Sequence, residues 1–282
     1  MVGGNKNMSK ENTAVTKKKI KRCKEDVVFD AACFIILTLV LFVVAYPLYW
    51  VIISSISAPS AVSSGKVLLH PIGFTLKGYA EVFKNDQVMR GFLNSLIITF
   101  CGVMVNLIVT LPTSYALSRS NFSGKKPITI FYLITMFFGG GLIPTYLVIQ
   151  RLQMLNTIWA LILPGCLSVY NMIVARTFFK SNISEELYEA AEIDGCTNFK
   201  FLYTIGVPLI KPSLGALIIY VFLQSWNYYL WPLLVTDSVN MRTVQIGLGM
   251  LQGAEATDFR PVMAGAMVIL IPSILVFIIG QK

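Results

Sequence analysis

Apolar stretches, each bounded by polar residues, divide this chain of 282 residues. The first runs from Ala31 to Ile53, long enough as a helix to cross about 30 Å of hydrocarbon. Tyr46-Pro47-Leu48-Tyr49-Trp50 closes it with an aromatic belt and an expected kink. Five more stretches follow at about 94–115, 127–149, 157–178, 212–235 and 261–280. The pattern predicts an all-α integral membrane fold of six transmembrane helices, occupying 27–282 behind a basic tail at 1–26. Residues 54–93 form the longest loop. Within it Phe74, Tyr79 and Phe83 of FTLKGYAEVF predict a short amphipathic helix on the outer membrane surface.

Two spans carry more than apolar bulk. In the third, Gly139-Gly140-Gly141 and Pro144 interrupt the helix. The interruption reads either as a hinge or broken helix facing a pathway, or as close packing at small residues. In the fifth, Gln224, Trp226, Asn227, Tyr228, Tyr229 and Trp231 gather amides and aromatics just ahead of Pro232. Gln224 and Asn227 lie one helical turn apart on one face and are expected to line a polar path with Trp226 and Tyr228. Tyr229 and Trp231 are expected nearer the outer interface. Aromatic rings beside amides suit the apolar faces and hydroxyls of a sugar.

Composition agrees with the pattern. Mean hydropathy is +0.69, and only 13% of residues are charged, against about a quarter in soluble proteins. The net charge of +9 is local: Lys6, Lys10, Lys17, Lys18, Lys19, Lys21, Arg22 and Lys24 precede the first span. That placement marks a cytoplasmic anchor at the lipid surface rather than a nucleic-acid site. Arg119, Lys125 and Lys126 in loop 116–126, against Arg151 alone in loop 150–156, extend the same asymmetry. It places both termini and loop 116–126 in the cytoplasm. The first stretch is too long, and too poor in a following small-residue cleavage site, to be a signal peptide.

The inventory of reactive groups excludes several classes. His70 is the only histidine, and neither a His-based metal cluster nor a Ser-His-Asp triad is expected. The five cysteines form no CxxC pair and hold no metal. There is no GxxxxGK[ST] phosphate loop. No Asp, Glu, Lys or Arg lies centrally in a span, which argues against a proton-coupled carrier, an ion pump and an intramembrane protease. The chain is not expected to be an enzyme, and energy for any transport must come from outside it.

Between the fourth and fifth spans lies a polar island at 184–209. Glu185, Glu186, Glu189, Glu192 and Asp194 crowd its first half. Asp194-Gly195 reads as a helix stop. Thr197 or Asn198 can cap a second short helix, which Pro208 is expected to end. A helix-turn-helix at the membrane surface results, with its small alanines turned toward a partner. Glu189-Ala190-Ala191, Asp194-Gly195, Ile205 and Val207-Pro208, in this spacing, resemble the EAA loop of ABC importer permeases, with Cys196 and Val207 where Ala and Leu are usual.

FTLKGYAEVF, GGGLIPTYLVIQRLQMLNT and WNYYLWPLLV extend the likeness over nearly the whole chain, and toward carbohydrate permeases that serve oligosaccharides. The resemblance implies a cytoplasmic coupling element at Glu189, Ala190, Ala191, Asp194, Gly195, Ile205 and Pro208. It also implies a second, related permease, two ATPase subunits that hold ATP and Mg, and an extracellular substrate-binding protein. The chain itself would carry no cofactor and would lie in a bacterial cell membrane. Relatives usually continue into a short cytoplasmic tail where this sequence stops, at Gln281-Lys282. A membrane scaffold or channel-like subunit without a nucleotide-driven partner is the other class to weigh.

Overall fold

The computed structural model describes residues 24–254 and 259–280, without the side chains of Lys24 and 252–254. The basic tail, but for its last three residues, and the Gln281-Lys282 end lie outside the described residues. The chain divides into two units, Met1–Tyr49 and Trp50–Lys282. The described part of the first is helix α1 (Lys24–Ser55) up to Tyr49. Its side chains stay exposed from Phe34 to Val44, as suits a helix whose solvent is lipid.

The second unit is helical throughout its described length. Short helices α2 (Pro59–Ser63) and α3 (Lys77–Lys84) precede the 33-residue α4 (Asp86–Ser118). Then come α5 (Lys125–Phe137), α6 (Leu142–Arg151), α7 (Ile158–Ile162) and α8 (Val169–Asn182). The polar island supplies α9 (Glu185–Ile193), α10 (Asn198–Phe201) and α11 (Val207–Leu209). The remainder is α12 (Lys211–Trp226), α13 (Leu230–Val235), α14 (Val244–Ala254) and α15 (Arg260–Gly280).

The spans are less uniform than the hydropathy pattern predicts. Among the described residues, α1, α4 and α15 are long and apolar enough to cross a membrane unbroken. Three further crossings require bent pairs: α5 with α6 at 111°, α7 with α8 at 49°, and residues 198–209 with α12 at 87°. The first bend falls at Gly139–Gly141, where Gly141 has φ +86°. A Cβ on Gly139 or Gly141 would meet nothing within 4 Å, so within this chain the glycines serve the break and not close packing. Pro164 lies in the second bend and Ile210, between Pro208 and Pro212, marks the third. The fifth stretch is also shorter than expected. It ends at Trp226, and Asn227-Tyr228-Tyr229 separates it from α13.

α4 is the central element, packed on α8, α12, α14 and α3. In lipid the packing of such helices rests on van der Waals fit and interhelical hydrogen bonds. Asn106 Nδ2 donates to the Gly165 carbonyl (3.1 Å), Ser114 Oγ to the Met172 carbonyl (3.0 Å), and Ser95 Oγ accepts from Val244 N (2.9 Å). The loop after α1 is also folded: Trp50 Nε1 donates to Val67 O (2.8 Å) over a small core of Ile53, Ala61, Val62 and Val67. The predicted short helix is present as α3, but its buried face differs from expectation. Gly78 and Val82 turn inward, while Phe74 and Phe83 stay exposed. The chemistry of Gly78 explains this, since a Cβ there would meet the Arg260 carbonyl at 3.0 Å.

Candidate functional site

The polar island folds into the expected helix-turn-helix. Ser184 Oγ accepts from Leu187 N (3.3 Å) and opens α9, with Glu185 and Glu186 in the favourable first turn. Asp194 closes it. Gly195, at φ +74°, turns its N–H back to Glu192 O (3.0 Å), and Cys196 N reaches Ala191 O (2.9 Å), a left-handed helix stop. Thr197 Oγ1 then caps α10 through Lys200 N (3.4 Å). The second helix widens at Leu202–Gly206, continues through α11 and stops at Leu209, one residue past the Pro208 expected to end it.

The motif residues divide by face. Glu189 and Ala190 are exposed, whereas Ala191 is 8% exposed and sits in a core with Leu111, Tyr115, Phe179, Phe201 and Leu202. Ile205 packs against that core, and Pro208 is exposed. The expectation that both alanines turn outward is therefore corrected: Ala190 is exposed, and Ala191, a further 100° round the helix, falls on the buried face. The outward stripe of α9 is Glu186, Glu189, Ala190 and Ile193, the last 86% exposed. Ile193 went unnoticed in the sequence, although its i, i+3, i+4, i+7 relation to the acids was there to read.

Arg119, which the sequence pattern used only as a topology marker, anchors the loop. Its guanidinium lies 3.2 Å from the centroid of the Tyr188 ring and 3.1 Å from Glu185 Oε2. Glu185 Oε1 accepts from Ser120 N (3.3 Å), and Tyr188 OH donates to Asn198 Oδ1 (2.7 Å). Tyr115 stacks on Phe201 at 5.9 Å. Together these contacts join α9 and α10 to the end of α4.

A second set of candidates lies at the end of α12. Gln224 and Asn227 are both exposed. Gln224 Nε2 donates to Tyr220 OH (2.9 Å), Asn227 Nδ2 to Leu223 O (2.8 Å), and Gln245 Nε2 to Asn227 Oδ1 (3.3 Å). Tyr170 packs against Tyr220 with centroids 5.4 Å apart. Tyr170, Tyr220 and Gln245 thus join a polar stripe that sequence reasoning only partly named. Gln245 arrives through α14, in a segment to which the pattern assigned no element.

Two aromatics are placed differently from expectation. Trp226, expected on the path, is 1% exposed: it stacks on Phe222, meets Phe92 edge-on, and donates Nε1–H to the Ile269 carbonyl (3.0 Å). It shows no ring face to a solute. Trp231, expected toward the outer interface, is buried beside Ile98 and Leu161, with Nε1–H on the Ala160 carbonyl (2.9 Å). Both indoles found a buried carbonyl acceptor, which pattern alone does not reveal. Tyr228 is half-buried against the same core as Trp231, and Tyr229 is exposed.

The profile of the binding-protein-dependent transport system inner membrane component matches residues 89–282, which include all of α9 to α15. The chain belongs to this family. It is 32% identical to the polygalacturonan/rhamnogalacturonan transport system permease protein YtcP of Bacillus subtilis (strain 168) over 218 residues, 77% of this chain and 76% of that protein. It is 30% identical to the arabinooligosaccharides transport system permease protein AraQ of Halalkalibacterium halodurans over 86% of this chain and 88% of that one. A chain in the crystal structure of a bacterial ABC transporter involved in the import of the acidic polysaccharide alginate superposes with a TM-score of 0.82, at 27% identity, over 93% of this chain and 99% of that one. Membership in the family makes the chain an integral membrane transport component.

Proposed function

We propose that this chain is one permease subunit of an ATP-driven importer that takes up an oligosaccharide delivered by an extracellular binding protein. It forms half of the translocation path with a second, related permease, and two ATPase subunits with their ATP and Mg drive it. The observation that carries this reading is the exposed α9 stripe, Glu186, Glu189, Ala190 and Ile193, on a helix-turn-helix that runs directly into α12. A partner groove that receives Ile193 and meets the acids with basic groups can push on a span through that connection. The exposed amides and tyrosines of the α12 stripe suit a hydrated, hydroxyl-rich cargo. The proteins named for polygalacturonan and rhamnogalacturonan, arabinooligosaccharides and alginate support a sugar.

The test is co-purification and reconstitution. The wild-type chain brings down an ATPase in stoichiometric amount. Glu189→Lys reverses the charge at the contact and lowers uptake by tenfold or so, since one reversed charge at a desolvated contact costs on the order of 1–2 kcal/mol. An importer in which Glu189→Lys and Ile193→Asp together leave both ATPase binding and uptake intact would sink the coupling role.

A further inference from the structure

At the start of α9 lies a second feature that transport by itself does not explain. A cavity of about 350 Å³ opens among the end of α4, the start of α5, the last turn of α8 and the start of α9. Arg119, Lys125 and Lys180 line it with the hydroxyl-bearing Ser118, Ser120 and Ser184. Its one acid is Glu185, which Arg119 already neutralises at 3.1 Å. Lys125 and Lys180 therefore leave two positive charges without an acid. Lys125 Nζ donates to the Arg119 carbonyl (3.0 Å) and the Ser118 carbonyl (3.5 Å), which keeps the ammonium fixed with an N–H to spare. Lys180 makes no ion pair among the described residues. Tyr115 forms a wall of the cavity, is 5% exposed, and carries a hydroxyl with no hydrogen-bond partner.

We propose that this cavity is a binding site for the phosphate headgroup of an anionic phospholipid. Lys125 and Lys180 contribute the charge, and Ser184 and Tyr115 the neutral donors, since Ser118 and Ser120 already donate to the Tyr115 carbonyl (2.7 Å) and Asn121 Oδ1 (3.3 Å). The position fits such a ligand. Lys125 stands just ahead of the apolar segment that begins at Pro127, and α4 ends at Ser118, so the cavity lies at the depth where headgroups meet the spans. Basic pockets between transmembrane helices at this level hold anionic headgroups. The pKa of Lys125, outside that apolar segment, is lowered from the ordinary lysine value by burial and then by the positive charges of Arg176 and Lys180, with Glu185 opposing. An anion in the cavity relieves that crowding.

Because Arg119 and Glu185 form one wall and also hold α9 to α4, an occupied cavity stiffens the joint on which coupling depends. This last step rests on the coupling role proposed above; the lipid site rests only on the membrane setting.

The test therefore has two separate readings on the whole importer, purified in detergent and in vesicles. Native mass spectrometry first reads retained phosphatidylglycerol. The wild type keeps it, and Lys125→Gln/Lys180→Gln loses it by about twenty-five-fold, taking roughly fivefold per lysine near an anionic surface. Lys125→Arg/Lys180→Arg, which keeps the charges, retains the lipid, so a loss in the Gln pair is not a loss of fold. Lys180→Gln alone, at an exposed position, gives a partial loss. Equal retention by the Gln pair overturns the site. Displacement of the lipid by millimolar inorganic phosphate instead assigns the cavity to a free anion and overturns the lipid identity. The second reading is uptake in phosphatidylcholine vesicles against an equal mixture with phosphatidylglycerol. The wild type is stimulated by the anionic lipid and the Gln pair is not. Lipid loss without any change in stimulation keeps the site and removes its link to coupling.

Discussion

At Gly195 a single backbone angle sets how α9 and α10 are disposed to one another. Its φ of +74° lies in the region that L side chains avoid, yet a Cβ there would meet nothing within 4 Å. The constraint is thus conformational and not steric, and the two causes predict different substitution series. Valine costs about 1 kcal/mol or more in the left-handed region, whereas asparagine adopts it readily. Gly195→Val should leave ATP hydrolysis measurable and lose most uptake, while Gly195→Asn should retain uptake near the wild-type rate; side-by-side transport and hydrolysis assays on the reconstituted complex check both. A steric origin would make the two substitutions equally damaging. Arg119 shows the opposite kind of legibility. Its charge was visible in the sequence, but its work against Tyr188 and Glu185 depends on residues 66 and 69 positions later, a proximity no local pattern carries.

Among the elements, those that follow from periodicity or a turn signal were readable and those that depend on tertiary partners were not. Ser184, Asp194-Gly195 and Thr197 bound the two helices where short-range capping chemistry puts them. α14 was missed because VQIGLGMLQGA is short, lacks charge, and takes its place by packing on α4 and α15. It matters to the site, since its Gln245 completes the Asn227 amide. The α12 stripe gives a prediction of its own. Gln224→Leu/Asn227→Leu removes the two exposed amides without touching the buried Trp226, so helix packing and thermal stability stay near wild type while uptake falls severalfold. Trp226→Leu does the reverse: it removes the indole donor from the Ile269 carbonyl and opens a gap beside Phe222. A large-to-small change in a packed core costs on the order of 2–5 kcal/mol, and the loss should appear as a lower melting temperature in detergent before any effect on transport. If the double amide variant transported like the wild type, the stripe would face lipid or a neighbouring subunit.

For the whole molecule, the topology is the largest inference from charge. From the Lys/Arg asymmetry we propose that the α9–α11 loop lies on the cytoplasmic side and His70 on the other. Single cysteines at positions 70 and 195, introduced in a chain whose own cysteines have been replaced, should react with a membrane-impermeant maleimide from opposite sides of sealed vesicles; labelling of both from the outside would overturn the arrangement. The apolar runs were legible because hydrocarbon thickness fixes their length. Yet among the described residues only α1, α4 and α15 answer as unbroken helices, and six crossings are reached only by counting each bent pair as one. The bends were not legible, apart from the triple glycine, because a bent pair has the same hydropathy as a straight helix.

α4 has a mechanical consequence. It is one continuous helix of 33 residues, about 50 Å long at 1.5 Å per residue. At one end Arg119 grips Glu185 and Tyr188, while Arg176 Nε and Lys125 Nζ hold the carbonyls of Leu117 and Arg119. At the other, Asn94 Nδ2 reaches the Asn240 carbonyl (2.7 Å) and Ser95 Oγ accepts from Val244 N, the residue next to Gln245. α4 is thus a connecting rod with a joint at each end. A tilt imposed on the loop would reach Ser95, about 36 Å away along the shaft, and through Val244 and Gln245 the amide of Asn227, with the leverage fixed by where α8 and α12 clasp α4.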